Sequence, residues 1–146
     1  MADQDLGIYG EQLVQTWLVR QGWEILYRRW HCRWGELDII AQGYHAQGGK
    51  LSSQMLAFVE VKTRSRGNWD LNGLLSISTA KQKKLWTTAR LFLTRHPHLA
   101  HLPCRIDVAL VSCHTAKPRT PQIQLKLPDG KRYLVLQDYL VNAIEG

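Results

Sequence analysis

In the segment Phe58-Val59-Glu60-Val61-Lys62-Thr63-Arg64, β-branched and aromatic residues alternate with charged ones. Such a composition reads as a β-strand. Its two-residue period puts Phe58, Glu60, Lys62 and Arg64 on one face, and Ala57, Val59, Val61 and Thr63 on the other. One face can therefore enter a core outright, while the other carries a carboxylate and an ammonium on a largely apolar element. Burying those charges is costly unless something pairs with them. A metal ion and a phosphate would suit them both, so the segment points to phosphodiester chemistry.

The flanking pattern predicts the rest. Leu6, Leu13, Val14, Trp17 and Leu18 recur at helical spacing, so residues 6–21 read as a helix that Gly22 stops. Glu11 projects from the flank of that apolar stripe. Trp23 to Trp30 and Gly35 to Ala41 read as two strands. Gln42 to Gln54, rich in Gly, Ser and Gln, reads as a loop, and Met55 to Arg64 completes a three-stranded meander. After a polar stretch at 65–77, a second helix starts with Thr79 as its N-cap and Gln82 in a capping box. Leu85, Ala89, Phe92 and Leu93 form its core stripe, with Lys81 and Gln82 looking inward, and Pro97 ends it. Pro103 to Cys113 reads as a fourth strand with Ile106, Val108 and Leu110 on one face. Residues 122–136 read as a hairpin with a two-residue turn at Asp129-Gly130, and the last ten residues as a short helix. The fold class is α/β. Neither a repeat nor a dividing linker interrupts the sequence, so residues 1–146 read as one domain.

The net charge of +7 suits a polyanionic partner. No run of 18 apolar residues indicates a membrane span. The N-terminus has no secretory pattern, and three cysteines without a CxxC pair argue against a disulfide framework. A cytoplasmic location is the expectation.

Gly35-Glu36-Leu37-Asp38-Ile39-Ile40 puts Glu36 and Asp38 on one face of the second strand. If this strand pairs with the third as a hairpin, Asp38 and Glu60 lie side by side. Each then raises the other's pKa, and a divalent cation removes the conflict. Hard oxygen ligands suit Mg²⁺ or Mn²⁺. Asp38 and Glu60 would hold the ion. Lys62 would orient the attacking water or meet charge developing at phosphorus. Glu11 would orient a second ion or a metal-bound water, and Lys81 would meet a phosphate near a helix N-terminus. Taken singly, each residue has a plainer reading as a solvated or ion-paired side chain. The faces of adjacent strands are what combine them.

Five stretches together resemble the YraN-like family of predicted endonucleases, in the PD-(D/E)XK nuclease superfamily, which is similar to archaeal Holliday junction resolvases. They are Gly10-Glu11, Gln21-Gly22-Trp23-Glu24-Ile25-Leu26, Gly35 to Ala41, Phe58 to Arg64 followed by Lys81, and Arg105-Ile106-Asp107-Val108. The resemblance implies a restriction-endonuclease-like αβββαβ core with a mixed central sheet flanked by helices. It also implies metal ligation by Asp38, Glu60 and the backbone carbonyl of Val61. Lys62 would be the catalytic lysine, with Glu11 and Lys81 as auxiliaries. Arg105 and Asp107 are expected to pair with each other or with the first helix. The long 42–54 connection and the extra hairpin near 114–135 depart from the family pattern. The implied activity is Mg²⁺-dependent hydrolysis of DNA, branched or junction DNA included. Junction cutting would require a homodimer. The alternative is a nucleic-acid-binding protein on the same fold that does not cleave.

Arg28, Arg29, Arg33, Arg64 and Arg66, interleaved with Trp30 and Trp34, suggest a nucleic-acid surface on which Trp stacks on an unpaired base. Core packing is the competing fate of those two tryptophans, and the expected fate of Trp17 and Trp23. His96, His98, His101 and Cys104 match no zinc spacing and read as a solvated loop.

Overall fold

The alternation of apolar residues along the strands is satisfied by a sheet covered on both faces. The computed structural model describes residues 3–47, 50–70, 73, 77–119 and 123–146. Along the chain come α1 (Asp3–Arg20), β1 (Glu24–Cys32), β2 (Gly35–Gln47), β3 (Lys50–Thr63), α2 (Thr79–Arg95), β4 (Cys104–His114), β5 (Gln124–Lys126) and β6 (Tyr133–Ile144), with a 3₁₀ turn at Pro97–Leu99 after α2. The six strands form one mixed sheet in the order β1-β2-β3-β4-β6-β5. β3 and β4 are parallel and α2 connects them; the other neighbours are antiparallel.

The two faces of β3 divide as its period predicts. Ala57 and Val59 join Leu13, Val14 and Leu18 of α1, together with Ile39, Ala109 and Val111. Phe58 points the other way, into Leu85, Ala89 and Phe92 of α2, together with Ile40, Ile106, Val108 and Leu110. Each fully buried side chain of this size contributes about 1.5–3 kcal/mol. Trp17 and Trp23 pack against the α1-side core and Trp30 against the α2-side core, whereas Trp34 is exposed.

Four expectations need correction. Residues 42–47 and 50–54 are not a loop: they prolong β2 and β3 into one long hairpin, paired from Gln42↔Leu56 to Gln47↔Lys50. Hydrogen bonding between its own two strands outweighs their loop-like composition. Helix α2 is capped one residue earlier than expected. Ser78 has extended backbone and its hydroxyl accepts from Lys81 N–H, while Gln82 donates to the Ile77 carbonyl instead. The Asp129-Gly130 turn is wider than two residues, since Leu127 N–H donates to the Arg132 carbonyl and Asp129 accepts from the N–H groups of Lys131 and Arg132. Residues 120–122, which include the start of that predicted hairpin, lie outside the described residues.

The chain ends in a strand, not a helix. β6 covers the free edge of β4, from Cys113↔Leu134 to Ile106↔Ile144. An unpaired edge on an otherwise central strand leaves a row of N–H and C=O groups open. Satisfying that edge overrides weak local helical preference.

Candidate functional site

The site is assembled where α1, β2, β3 and the start of α2 meet. Gly10 makes the first approach possible. A methyl group there would collide with the Thr63 hydroxyl, so only glycine lets α1 lie this close to the end of β3. That approach brings Glu11 to the sheet. On β2, the register Ile39↔Val59 sets Asp38 beside Glu60, as the hairpin argument requires. Asp38 Oδ2 accepts from the Val61 N–H at 2.9 Å. Glu60 is buried, and its Oε1 lies 3.7 Å from Lys81 Nζ in the first turn of α2. The Ser78 cap fixes that first turn, and hence the base of Lys81.

The electrostatics show two carboxylates in conflict. Burial, then the neighbouring Glu60, push the Asp38 carboxyl up to about 8; Glu11 and Glu36 add to the push, while the Val61 N–H opposes it. Burial also raises Glu60, against the opposing pull of Lys81 and Lys62. A part-buried Asp38 raised by burial and by Glu60, beside a buried Glu60 raised by burial and by Glu36, fits a hard divalent cation by the chemistry of its donors. Among the described residues, no three His, Cys, Asp or Glu side chains converge as a ready-made metal cage. An ion held here by Asp38 and Glu60 would need further ligands, such as a backbone carbonyl and water. In the predicted His-rich loop, His96 stacks on Phe92 and bonds the Phe92 carbonyl.

Glu11 does not face the pair alone. Arg29 Nε donates to Glu11 Oε2 at 2.8 Å. Arg29 has φ 49°, in the left-handed region that a non-glycine residue enters at a cost of about 1–2 kcal/mol. Sequence reasoning placed Arg29 on a nucleic-acid surface and missed this pairing. No sequence signal reveals a left-handed arginine inside a strand. The other predicted basic residues fall into two groups. Arg28 and Arg33 are exposed on β1 and on the turn that follows it, while Arg64 and Arg66 are exposed just beyond β3. Arg33 lies over the Trp34 ring, 4.7 Å from its centroid. Arg64 bonds the Arg66 carbonyl.

Arg105 and Asp107 pair with each other, on the α1 side of β4. Asp107 also accepts from the Tyr139 hydroxyl at 2.7 Å and from Asn142 N–H at 2.8 Å. Burial, then the adjacent Asp107, raise the Tyr139 phenol well above its ordinary value. An open cleft of about 500 Å³ lies against β4 and β6, lined by Asn68, Ser112, His114, Lys117, Arg119 and Gln137 among others. None of the acidic residues reaches it, and volume alone gives it no chemistry. No helix among the described residues is long and apolar enough to cross a membrane.

Comparison with other proteins follows the same boundaries. A UPF0102 protein of Acaryochloris marina is 59% identical over 109 residues, covering 75% of this chain and 63% of that protein. One from Trichodesmium erythraeum is 47% identical over 144 residues, covering 97% of this chain and 79% of that protein. Another, from a Synechococcus strain, is 44% identical over 142 residues, covering 97% and 92%. The model described as "Uncharacterised protein family UPF0102" matches residues 10–111. That span begins at the glycine that seats α1 and ends in β4, so it takes in the whole acidic site. The chain belongs to the UPF0102 family.

Proposed function

We propose that this protein is a metal-dependent endonuclease that hydrolyses phosphodiester bonds in DNA, branched or junction DNA among its substrates, on a restriction-endonuclease-like core. The observation that carries this reading is the Asp38–Glu60 pair: two acids with raised pKa side by side on the adjacent strands β2 and β3, the second of which also bears Lys62. Asp38 and Glu60, with the Val61 carbonyl, would hold Mg²⁺ or Mn²⁺. Such an ion, when bound, supplies an acidified water and withdraws charge from the phosphate.

The remaining roles fall to the chain's own groups. Lys62 lies on the Glu60 face of β3, where its ammonium orients the attacking water or meets charge developing at phosphorus. Lys81, half-exposed beside Glu60, is placed to meet a substrate phosphate. Glu11 completes the acidic rim, and Arg28, Arg29, Arg33, Arg64 and Arg66 supply phosphate-neutralising charge. Cutting both strands of a junction symmetrically would need two such sites and so a homodimer. The expected setting is cytoplasmic.

One observation favours the alternative, a DNA-binding protein that does not cleave. Arg29 already pairs with Glu11, and Lys81 already lies against Glu60. Purified protein is expected to cut labelled DNA with Mg²⁺ or Mn²⁺ and not in EDTA. Lys62→Ala should slow cleavage roughly 10²–10³-fold with melting unchanged. A Mn²⁺-soaked crystal should show anomalous density between Asp38 and Glu60. Failure to cut linear, flapped or junction DNA, or RNA, with either ion would overturn the cleaving reading in favour of binding alone.

A further inference from the structure

Five large apolar side chains stand open among the described residues: Val19, Tyr27, Trp34, Tyr44 and Val141. Trp34 differs from the others in its setting. It occupies the two-residue turn between β1 and β2, closed by the pairing Cys32↔Gly35. Its N–H donates to Cys32 Sγ. The Arg33 guanidinium lies over its ring, yet the residue remains 53% exposed. Tyr27, in contrast, packs edge-on against Phe92 and His96, and the Tyr44 hydroxyl is bonded by Gln54.

Two independent rulers place this turn relative to the acidic pair. Along β2, Asp38 follows Gly35 by three residues, about 10 Å at a rise of ~3.3 Å per residue. Along α2, Thr88 follows Lys81 by seven residues, again about 10 Å at ~1.5 Å per residue. The two lines are tied at both ends. Gly35 lies so close to Thr88 that an added methyl group would come within 2.7 Å of its hydroxyl. At the other end Lys81 reaches Glu60, which stands beside Asp38. Between Lys81 and Thr88, the exposed Lys84 sits one helical turn before Thr88, whose hydroxyl bonds the Lys84 carbonyl. Lys81, Lys84 and Arg33 thus mark a cationic path from the acidic pair to an open indole.

We propose that the Arg33–Trp34 turn is a stacking platform for an unpaired nucleobase. It receives a base about three nucleotides from the phosphate at the acidic pair, taking ~3.4 Å per nucleotide of a strand. Lys81 and Lys84 neutralise the intervening backbone. The indole supplies a face on which any base stacks, and the guanidinium adds cation–π and phosphate contact. The preferred substrate class is therefore nucleic acid with a single-stranded segment next to a duplex. This inference rests on the nucleic-acid part of the reading above, and its test does not depend on cleavage.

The test measures binding in EDTA to a hairpin DNA with a single-stranded tail. One tail base, three nucleotides from the duplex, is replaced by 2-aminopurine. A second probe has the same base paired. Wild type should quench the unpaired probe's fluorescence and bind it roughly tenfold tighter than the paired one. Trp34→Ala should lose that preference, and Trp34→Phe should keep most of it. Because Trp34 is exposed, both variants should melt with wild type. Equal affinity of wild type for the two probes, or Trp34→Ala indistinguishable from wild type, overturns the proposal. Preference for the unpaired probe with no cleavage in Mg²⁺ or Mn²⁺ supports stacking and rejects the nuclease. Cleavage of plain duplex without any preference rejects stacking and leaves the nuclease standing.

Discussion

Asp107 and Asp38 are both aspartates on strands of the same sheet, and they are treated in opposite ways. Asp107 is fully buried and accepts from Arg105, the Tyr139 hydroxyl and the Asn142 N–H. Its charge is matched and its lone pairs are occupied. Asp38 accepts from the Val61 N–H and feels Glu60, Glu11 and Glu36. The contrast separates structure from chemistry. A carboxylate that the fold has satisfied holds strands together. One that the fold has crowded with its own kind carries a charge that the fold leaves unmatched. Evolution of a stable core alone would favour replacing Asp38, whereas it would favour retaining Asp107.

The comparison breaks most visibly in stability. Asp107→Ala removes the acceptor of the Tyr139 hydroxyl and of the Asn142 N–H, together with the carboxylate that pairs with Arg105. The expected loss is roughly 3–5 kcal/mol, a fall in Tm of about 10 °C, read by thermal or urea unfolding. Asp38→Asn should do the reverse. It keeps an acceptor for the Val61 N–H, removes the charge conflict, and raises the stability of metal-free protein while abolishing cleavage. An Asp107→Ala variant as stable as wild type, or an Asp38→Asn variant that is destabilised, would erase the distinction.

The distinction sharpens with pH. The folded pKa of Asp38, pushed up to about 8, lies above the ordinary Asp range. Its protonated form is therefore the one the fold favours. The stability it contributes is complete below about pH 4 and is lost as pH rises to about 8. Metal-free wild type should lose stability relative to Asp38→Asn across that window, by more than about 1 kcal/mol. Saturating Mg²⁺ or Mn²⁺ at pH 8 should restore it by binding the folded state alone. Parallel stability curves for the two proteins would show that Asp38 does not titrate in this range. The smallest effect is expected at Arg29→Gly. Relief of the left-handed backbone offsets loss of a half-exposed ion pair, so stability should change by less than about 1 kcal/mol. A loss of several kcal/mol would make the Arg29–Glu11 pair a structural anchor on a par with Asp107.

What the sequence made legible follows a two-residue period. The faces of β3, the nearness of Asp38 to Glu60 and the inward reach of Lys81 all rest on local spacing plus one hairpin. Arg105 and Asp107 paired as expected because they share a face two residues apart. Tyr139 joined them unforeseen, because it arrives on β6, a strand that reads locally as a helix. The length of the β2–β3 hairpin was illegible for a related reason: Gly, Ser and Gln carry no apolar alternation, yet two strands pairing with each other do not need it. Ser78 and Thr79 are both competent caps, and only the backbone at Ser78 decides between them. The left-handed Arg29 depends on tertiary contacts with α1 and β2, which no local pattern encodes.

The position of β3 has one further consequence. It is hydrogen-bonded on both sides, to β2 and to β4, and covered by a helix on each face. Amides from Leu56 to Thr63 should therefore exchange with solvent only when the whole sheet opens. The strand that carries Glu60 and Lys62 belongs to the last part of the molecule to come apart. Partial unfolding that frays α1 or the outer strands leaves Glu60 and Lys62 in register. In a denaturant titration, disappearance of the site should then track global unfolding rather than precede it.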